Sequence, residues 1–189
     1  MKKKWVVIGV VVAAIVLLVA LFAGGYNGLV DLQTDVESKE AEIQTQLQRR
    51  ADLIPNFVET VKGYSDYEQS TLQAVTEARA AVKAAADPGA AAEASDQLDR
   101  AISVWVNAVT EAYPDLKANT QYIALQDELA GTENRIAQAR RDYNETVKTY
   151  NATVRRFPKN ILAGIFGFEK AEFFEAKAGA EDAPIVDFG

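Results

Sequence analysis

Two hydrophobic patterns follow one another along the chain. Trp5 to Ala23 is apolar without interruption, and from Leu29 onward apolar residues return about every 3.5 positions. As a helix, Trp5 through Gly25 would reach about 31 Å, enough to cross a hydrocarbon core. Trp5 at one end and Phe22 with Tyr26 at the other suit the two membrane interfaces. A cleaved signal peptide is the rival reading. The leading lysines fit either, and Ala23-Gly24-Gly25 is small enough to be cut. The apolar run exceeds the roughly 7 to 15 residues usual in a signal, which favours an uncleaved anchor.

The periodic part predicts four helices. Leu29, Leu32, Val36, Ile43, Leu47, Ile54, Phe57 and Val61 form one stripe, broken by Glu40 and Arg50 at seam positions. Between Ala23 and Asp31 nothing except Gly24-Gly25 and Gly28 would stop a helix, so this helix and the membrane run can be continuous. Pro55 lacks an N–H and clashes with the carbonyl four residues back. The expectation is a kink over Ala51 to Pro55, or a full break with Asp52 capping a new turn, and an end at Gly63. Ser65 or Asp66 then caps a second helix with Tyr67, Leu72, Val75, Ala78 and Val82 on its face. It is expected to stop at Ala86, before the turn Asp87-Pro88-Gly89. The third helix, 90–113, turns Leu98, Ile102, Trp105 and Val109 inward and is stopped by Pro114. The small residues of Ala84 to Ala94 are expected to bury little. Asn119 or Thr120 caps the fourth helix, whose stripe runs Tyr122, Leu125, Leu129, Ile136, Tyr143, Val147, Tyr150, Val154, Phe157. No strand pattern stands out.

The fold class expected is all-α: an N-terminal transmembrane helix followed by an antiparallel four-helix bundle with two long and two shorter helices. The long helices, 27–63 and 119–157, come to about 55 and 58 Å and would lie antiparallel. Opposed positions then sum to about 184. That puts Arg50 opposite Glu133 and Asn134, and Arg140 and Arg141 opposite Glu42. The domains expected are 1–4 cytoplasmic, 5–25 transmembrane, 26–160 extracytoplasmic bundle, 161–174 an apolar membrane-proximal segment and 175–189 a disordered tail. An even number of external helices returns the chain to the membrane. Ile161, Leu162, Ile165, Phe166 and Phe168, with Lys159 at their start, are therefore candidate membrane contacts. The competing reading is a flap folded on the protein itself.

Charge sharpens the placement. The chain has 20 Lys+Arg and 27 Asp+Glu, net −7, with Lys2 to Lys4 before the apolar run. Those lysines favour an N-terminus inside a cell membrane and the helical part outside. Without them the rest carries 17 basic and 27 acidic residues, net −10, a surface that disfavours nucleic acid as a partner. The chain has no cysteine and no histidine. Disulfides, lipoprotein modification, thiol nucleophiles, Ser-His-Asp triads and zinc sites of usual composition are thereby excluded. Acid pairs such as Glu37 with Glu40 are ordinary helix-surface residues. No catalytic, cofactor-binding or metal-binding residue is expected, and no cofactor.

Several stretches resemble the LemA family: Tyr26-Asn27-Gly28-Leu29-Val30; QLQRRADLIPNFVETVKGY (Gln46 to Tyr64); Glu68 and Leu72 ahead of Val75-Thr76-Glu77-Ala78-Arg79; and Tyr143-Asn144 to Tyr150-Asn151 followed by Arg156-Phe157-Pro158. The resemblance runs from the anchor to about Phe174. It implies a bacterial single-pass membrane protein with an external helical domain and no firmly assigned activity. The family includes a magnetosome membrane component, and its genes are often linked with those of membrane proteases. Tyr67 stands where relatives often have histidine, which argues against histidine-dependent chemistry.

Two function classes follow. One is a non-enzymatic, membrane-anchored scaffold or adaptor whose partners are the bilayer and a second copy or another membrane protein, a membrane protease among the candidates. It would act through helix-mediated assembly and membrane shaping. Its partner surface would comprise Arg49, Asp52, Asn56, Glu59, Tyr64 and Tyr67, around the proline. The plainer reading of those residues is that they only set bundle geometry. The alternative class is an extracytoplasmic small-molecule sensor that signals through a partner protein.

Overall fold

The computed structural model describes residues 2–62 and 69–174, and they are helical wherever they are regular. The helices are α1 (Lys2–Lys62), α2 (Gln69–Ala84), α3 (Pro88–Ala112), α4 (Thr120–Arg155) and α5 (Lys159–Phe166), with a 3₁₀ turn at Pro114–Ala118. Gly63 to Glu68, and with them the expected helix stop, the second helix's cap and both Tyr64 and Tyr67, lie outside the described residues, as does the tail from Glu175.

α1 is one uninterrupted helix. The glycines at 24, 25 and 28 do not stop it, and neither does Pro55, so the full break capped by Asp52 does not occur. α2 ends at Ala84, two residues short of expectation. Asp87-Pro88-Gly89 is a helix start rather than a bare turn. The Asp87 carboxylate accepts from the Ala90 N–H at 2.7 Å, and Pro88 sits at the first helical position, where its missing N–H costs nothing. Asn119 caps α4 as expected, its side-chain oxygen accepting from Gln121 and Tyr122 N–H groups at 2.9 and 3.0 Å. α4 stops at Arg155, so Phe157 falls beyond it and is 80% exposed, not part of the stripe.

The chain forms two compact units, one of Met1–Lys39 with Glu145–Ala171, the other of Glu40–Asn144 with Glu172–Gly189. In the second unit the expected faces are buried: Ile43, Leu47, Ile54, Phe57 and Val61 of α1; Val75, Ala78 and Val82 of α2; Leu98, Ile102, Trp105 and Val109 of α3. Ala91, Ala92 and Ala94 are buried too, against expectation. At the centre the Phe57 ring lies 5.1 Å from both Trp105 and Tyr122, and the Tyr122 hydroxyl is 2.7 Å from Thr110 Oγ1.

In the first unit the apolar part of α1 stays exposed, including Val10, Ile15, Leu17 and Leu21. It is long and apolar enough to cross a membrane. Leu29 and Val36 of α1 are buried in this unit, as are Val147, Tyr150 and Val154 of α4.

Candidate functional site

The segment around Pro55 splits cleanly by helical face. Arg50, Ala51, Ile54 and Phe57 are buried, while Arg49, Asp52, Pro55, Asn56 and Glu59 are exposed. Because Pro55 has no N–H, the carbonyl of Ala51 loses its usual helical donor. Ala51 is fully buried, so water cannot replace that donor. Arg79 of α2 does: its Nε donates to the Ala51 carbonyl at 2.8 Å. The proline thus leaves an acceptor on α1 that α2 uses as a docking point. Asp52, one residue on, accepts from Lys83 at 2.9 Å and from Gln48 at 2.8 Å. The Lys83 hydrogen bond, then that of Gln48, holds the Asp52 carboxyl below its ordinary value. Arg79→Met is expected to destabilise the protein by about 1–2 kcal/mol, because a buried carbonyl is orphaned. In a Pro55→Ala background residue 55 supplies the donor again, so the same change should cost much less. A denaturation double-mutant cycle reads that coupling.

Arg50 sits at the expected seam and is buried, 4% exposed. It reaches Glu133 at 3.5 Å, as the antiparallel register requires, but its nearer partner is Asp99 of α3, 2.5 Å from Nη1. The Arg50–Asp99 approach is a charge contact without hydrogen-bond alignment. Burial pushes the Asp99 carboxyl up, with Arg50 opposing. Arg49 pairs with Glu128 at 2.7 Å on the open side. Arg140 bonds Asp96 of α3 at 3.3 Å, an acid the two-helix register did not consider.

The membrane-contact candidates lie in the first unit, on α5 except for Phe168, which follows its end. The sequence pattern did not mark this stretch as a helix, because it is apolar on nearly every side. α5 lies antiparallel to α1: Lys159 Nζ is 3.4 Å from where a Cβ on Gly28 would stand, and Leu162 is 2.6 Å from the same point on Gly25. Gly25 is therefore a close-approach position. The Phe166 and Phe168 rings each meet Tyr26 in a T-shaped contact, with ring centroids 4.8 and 5.7 Å away. Ile161, Ile165 and Phe166 are exposed, Leu162 is buried against α1, and Lys159 and Phe168 are half-buried. Val19, Phe22, Ala23, Tyr26 and Asn27 with Phe166 enclose an open apolar groove of about 490 Å³. Chemically this face can meet hydrocarbon. Among the described residues no three acidic side chains converge as a metal site would need.

The sequence model of the LemA family matches residues 39–188. The chain belongs to the LemA family. It is similar to Magnetosome protein MamQ 2 of Paramagnetospirillum magneticum, 28% identical over 200 residues, covering 93% of this chain and 73% of the relative. It is also similar to Magnetosome protein MamQ of Magnetospirillum gryphiswaldense, 25% identical over 85% of this chain and 68% of the relative. Protein LemA of Metamycoplasma hominis is 26% identical over 82% of this chain and 71% of its own length. Within this family member, the segment around Pro55 serves first as packing: Arg50, Ala51, Ile54 and Phe57 hold other helices, while Arg49, Asp52, Asn56 and Glu59 face out.

Proposed function

We propose that this LemA protein is a non-enzymatic, membrane-anchored scaffold, with its helical domain on the outer face of the cell membrane. Residues 5–25 would span the bilayer, 26–160 would form an antiparallel four-helix bundle, and α5 would lie in the outer interface. The observation that carries this reading is the placement of α5 beside Gly25 and Tyr26, with Ile161, Ile165 and Phe166 turned outward. An apolar face at the mouth of an apolar helix has a natural solvent in lipid. Lys159, beside Gly28, would then meet headgroup phosphate. The open polar face, Arg49, Asp52, Asn56 and Glu59, is the surface left for a protein partner, a second copy or another membrane protein. Membrane shaping would follow from an inserted helix repeated over an assembly.

The absence of cysteine makes single-site labelling simple. Ile165→Cys and Asn56→Cys, each carrying an environment-sensitive fluorophore, are placed in lipid nanodiscs at one copy per disc and in native membranes. Residue 165 should report hydrocarbon in both. Residue 56 should report water in the nanodisc and protection in native membranes, where partners are present. Water-like emission at 165 removes the membrane contact, and a residue 56 that stays wet everywhere removes the partner surface.

A further inference from the structure

Tyr150 differs from the other buried tyrosines of α4. The Tyr122 hydroxyl is 2.7 Å from Thr110 Oγ1, and that of Tyr143 donates to the Glu172 carbonyl at 2.8 Å. Tyr150 is also buried, 3% exposed, yet its hydroxyl makes no hydrogen bond among the described residues. A buried hydroxyl without a partner is costly, so its surroundings need an explanation. Tyr150 lines an open pocket of about 300 Å³ that lies wholly in the first unit. Gln33, Val36 and Glu37 of α1 line it too, with Glu169 and Lys170 of the chain that follows α5.

The wall that carries Glu169 and Lys170 is tied at both ends. Gly167, at φ 75°, ends α5 in a conformation that suits glycine, and the Phe168 N–H then donates to the Ala163 carbonyl at 3.0 Å. Farther on, Asn151 of α4 donates to the Ala171 carbonyl and accepts from the Ala171 N–H, both at 2.9 Å. Across the pocket Gln33 donates to Glu37 Oε1 at 3.2 Å, which leaves Glu37 Oε2 as an acceptor. Glu169 and Lys170 are exposed and make no ion pair among the described residues. Burial first, then Glu169 and Glu37, raises the Tyr150 hydroxyl above its ordinary value, so it stays protonated at neutral pH.

Two carboxylates and a phenolic oxygen supply the three acceptors that the N–H groups of an ammonium need. Lys170 offers a cation to the other end of the same molecule, and Val36 an apolar wall to a short carbon chain between them. Two acids against one lysine disfavour a plain anion. The volume is at the low end for small-molecule sites. We propose that this pocket binds a small zwitterionic amino acid, its primary ammonium held by Glu37, Glu169 and the Tyr150 hydroxyl and its carboxylate by Lys170. The ligand is water-soluble. Gln33 to Glu37 lie seven to eleven residues beyond Tyr26, about 10–17 Å along the helix, whereas a headgroup layer is about 5–8 Å deep. That height rests on the membrane span proposed above. The pocket itself uses neither the outward apolar face of α5 nor the polar face around Asp52.

The test is equilibrium dialysis of full-length protein in nanodiscs of phosphatidylcholine, a lipid without a primary amine. The probes are glycine, β-alanine and γ-aminobutyrate, which differ in chain length. At least one should bind saturably. Its N-trimethylated analogue, which keeps the charge and loses every N–H, should bind about tenfold more weakly. Tyr150→Phe, which keeps the ring, and Glu169→Gln should each weaken binding about tenfold while helical circular dichroism is unchanged. Saturable binding of none of the three overturns the site. So does a trimethylated analogue as tight as its parent, a result that needs no variant to fold. So does a Tyr150→Phe protein that binds like wild type. Phosphatidylethanolamine nanodiscs then test the source. Unchanged affinity there supports a water-soluble ligand, and affinity lost to competition by the headgroup overturns it. The labels at residues 56 and 165 decide the scaffold reading independently of every one of these results.

Discussion

Phe57→Ala is expected to lower the unfolding free energy by about 4 kcal/mol, while Asn56→Ala, its neighbour, stays within about 0.5 kcal/mol. The contrast follows from one helical step. Phe57 is fully buried, with its ring 5.1 Å from Trp105 and from Tyr122. Truncation removes the transfer energy of a phenyl ring and leaves a cavity. That cavity resists collapse, because Tyr122 is tethered through its hydroxyl to Thr110 and bonded by Gln126 at 3.2 Å. Asn56 is exposed. Denaturant titration followed by Trp105 fluorescence should show a lower midpoint for Phe57→Ala at unchanged slope. If Asn56→Ala costs as much as Phe57→Ala, the exposed side of this segment is structural too, and the partner surface loses its basis.

Helical periodicity was the most legible feature. The inward residues of α3 and α4, from Leu98 to Val109 and from Tyr122 to Val154, are buried, Leu125 alone being half-buried, because a 3.6-residue repeat leaves no other face for them. Local chemistry was less legible. Asp-Pro-Gly reads equally as a turn and as a helix start, and only the Asp87 side chain decides between them. α5 is only eight residues long, and its outward Ile161, Ile165 and Phe166 are as apolar as its inward Leu162 and Ala163, so too few turns mark it as a helix. Phe157 fits the stripe by spacing, yet Pro158 follows it and the helix has already ended. The orphan carbonyl of Ala51 can be derived from Pro55 by the four-residue rule, but its donor lies 28 positions away on α2. The partners of Arg50 and Arg140 show the same limit. A register between two helices finds Glu133 and misses Asp96 and Asp99, both on α3.

Asp99→Ala is expected to cost about 3 kcal/mol, because it strands the buried Arg50 guanidinium. Glu133 cannot take over: it is 61% exposed and 3.5 Å away, so screening leaves it worth about 0–1 kcal/mol. The pair itself is a different matter. Burial raises the Asp99 carboxyl despite the attraction of Arg50, so for Asp99 desolvation outweighs pairing. The sign of the pH effect follows. With the folded value above 3.8, protonation of Asp99 favours the fold; that contribution is complete below 3.8 and is lost as pH rises through the folded value. The ion contact also lacks hydrogen-bond alignment, which removes part of its compensation. Replacing both ions at once, Arg50→Met with Asp99→Leu, should therefore be close to neutral or stabilising, while the single change destabilises. Chemical denaturation of the single and double variants at pH 7 decides it. A double variant as unstable as Asp99→Ala would mean that the guanidinium holds the helices in place by more than charge.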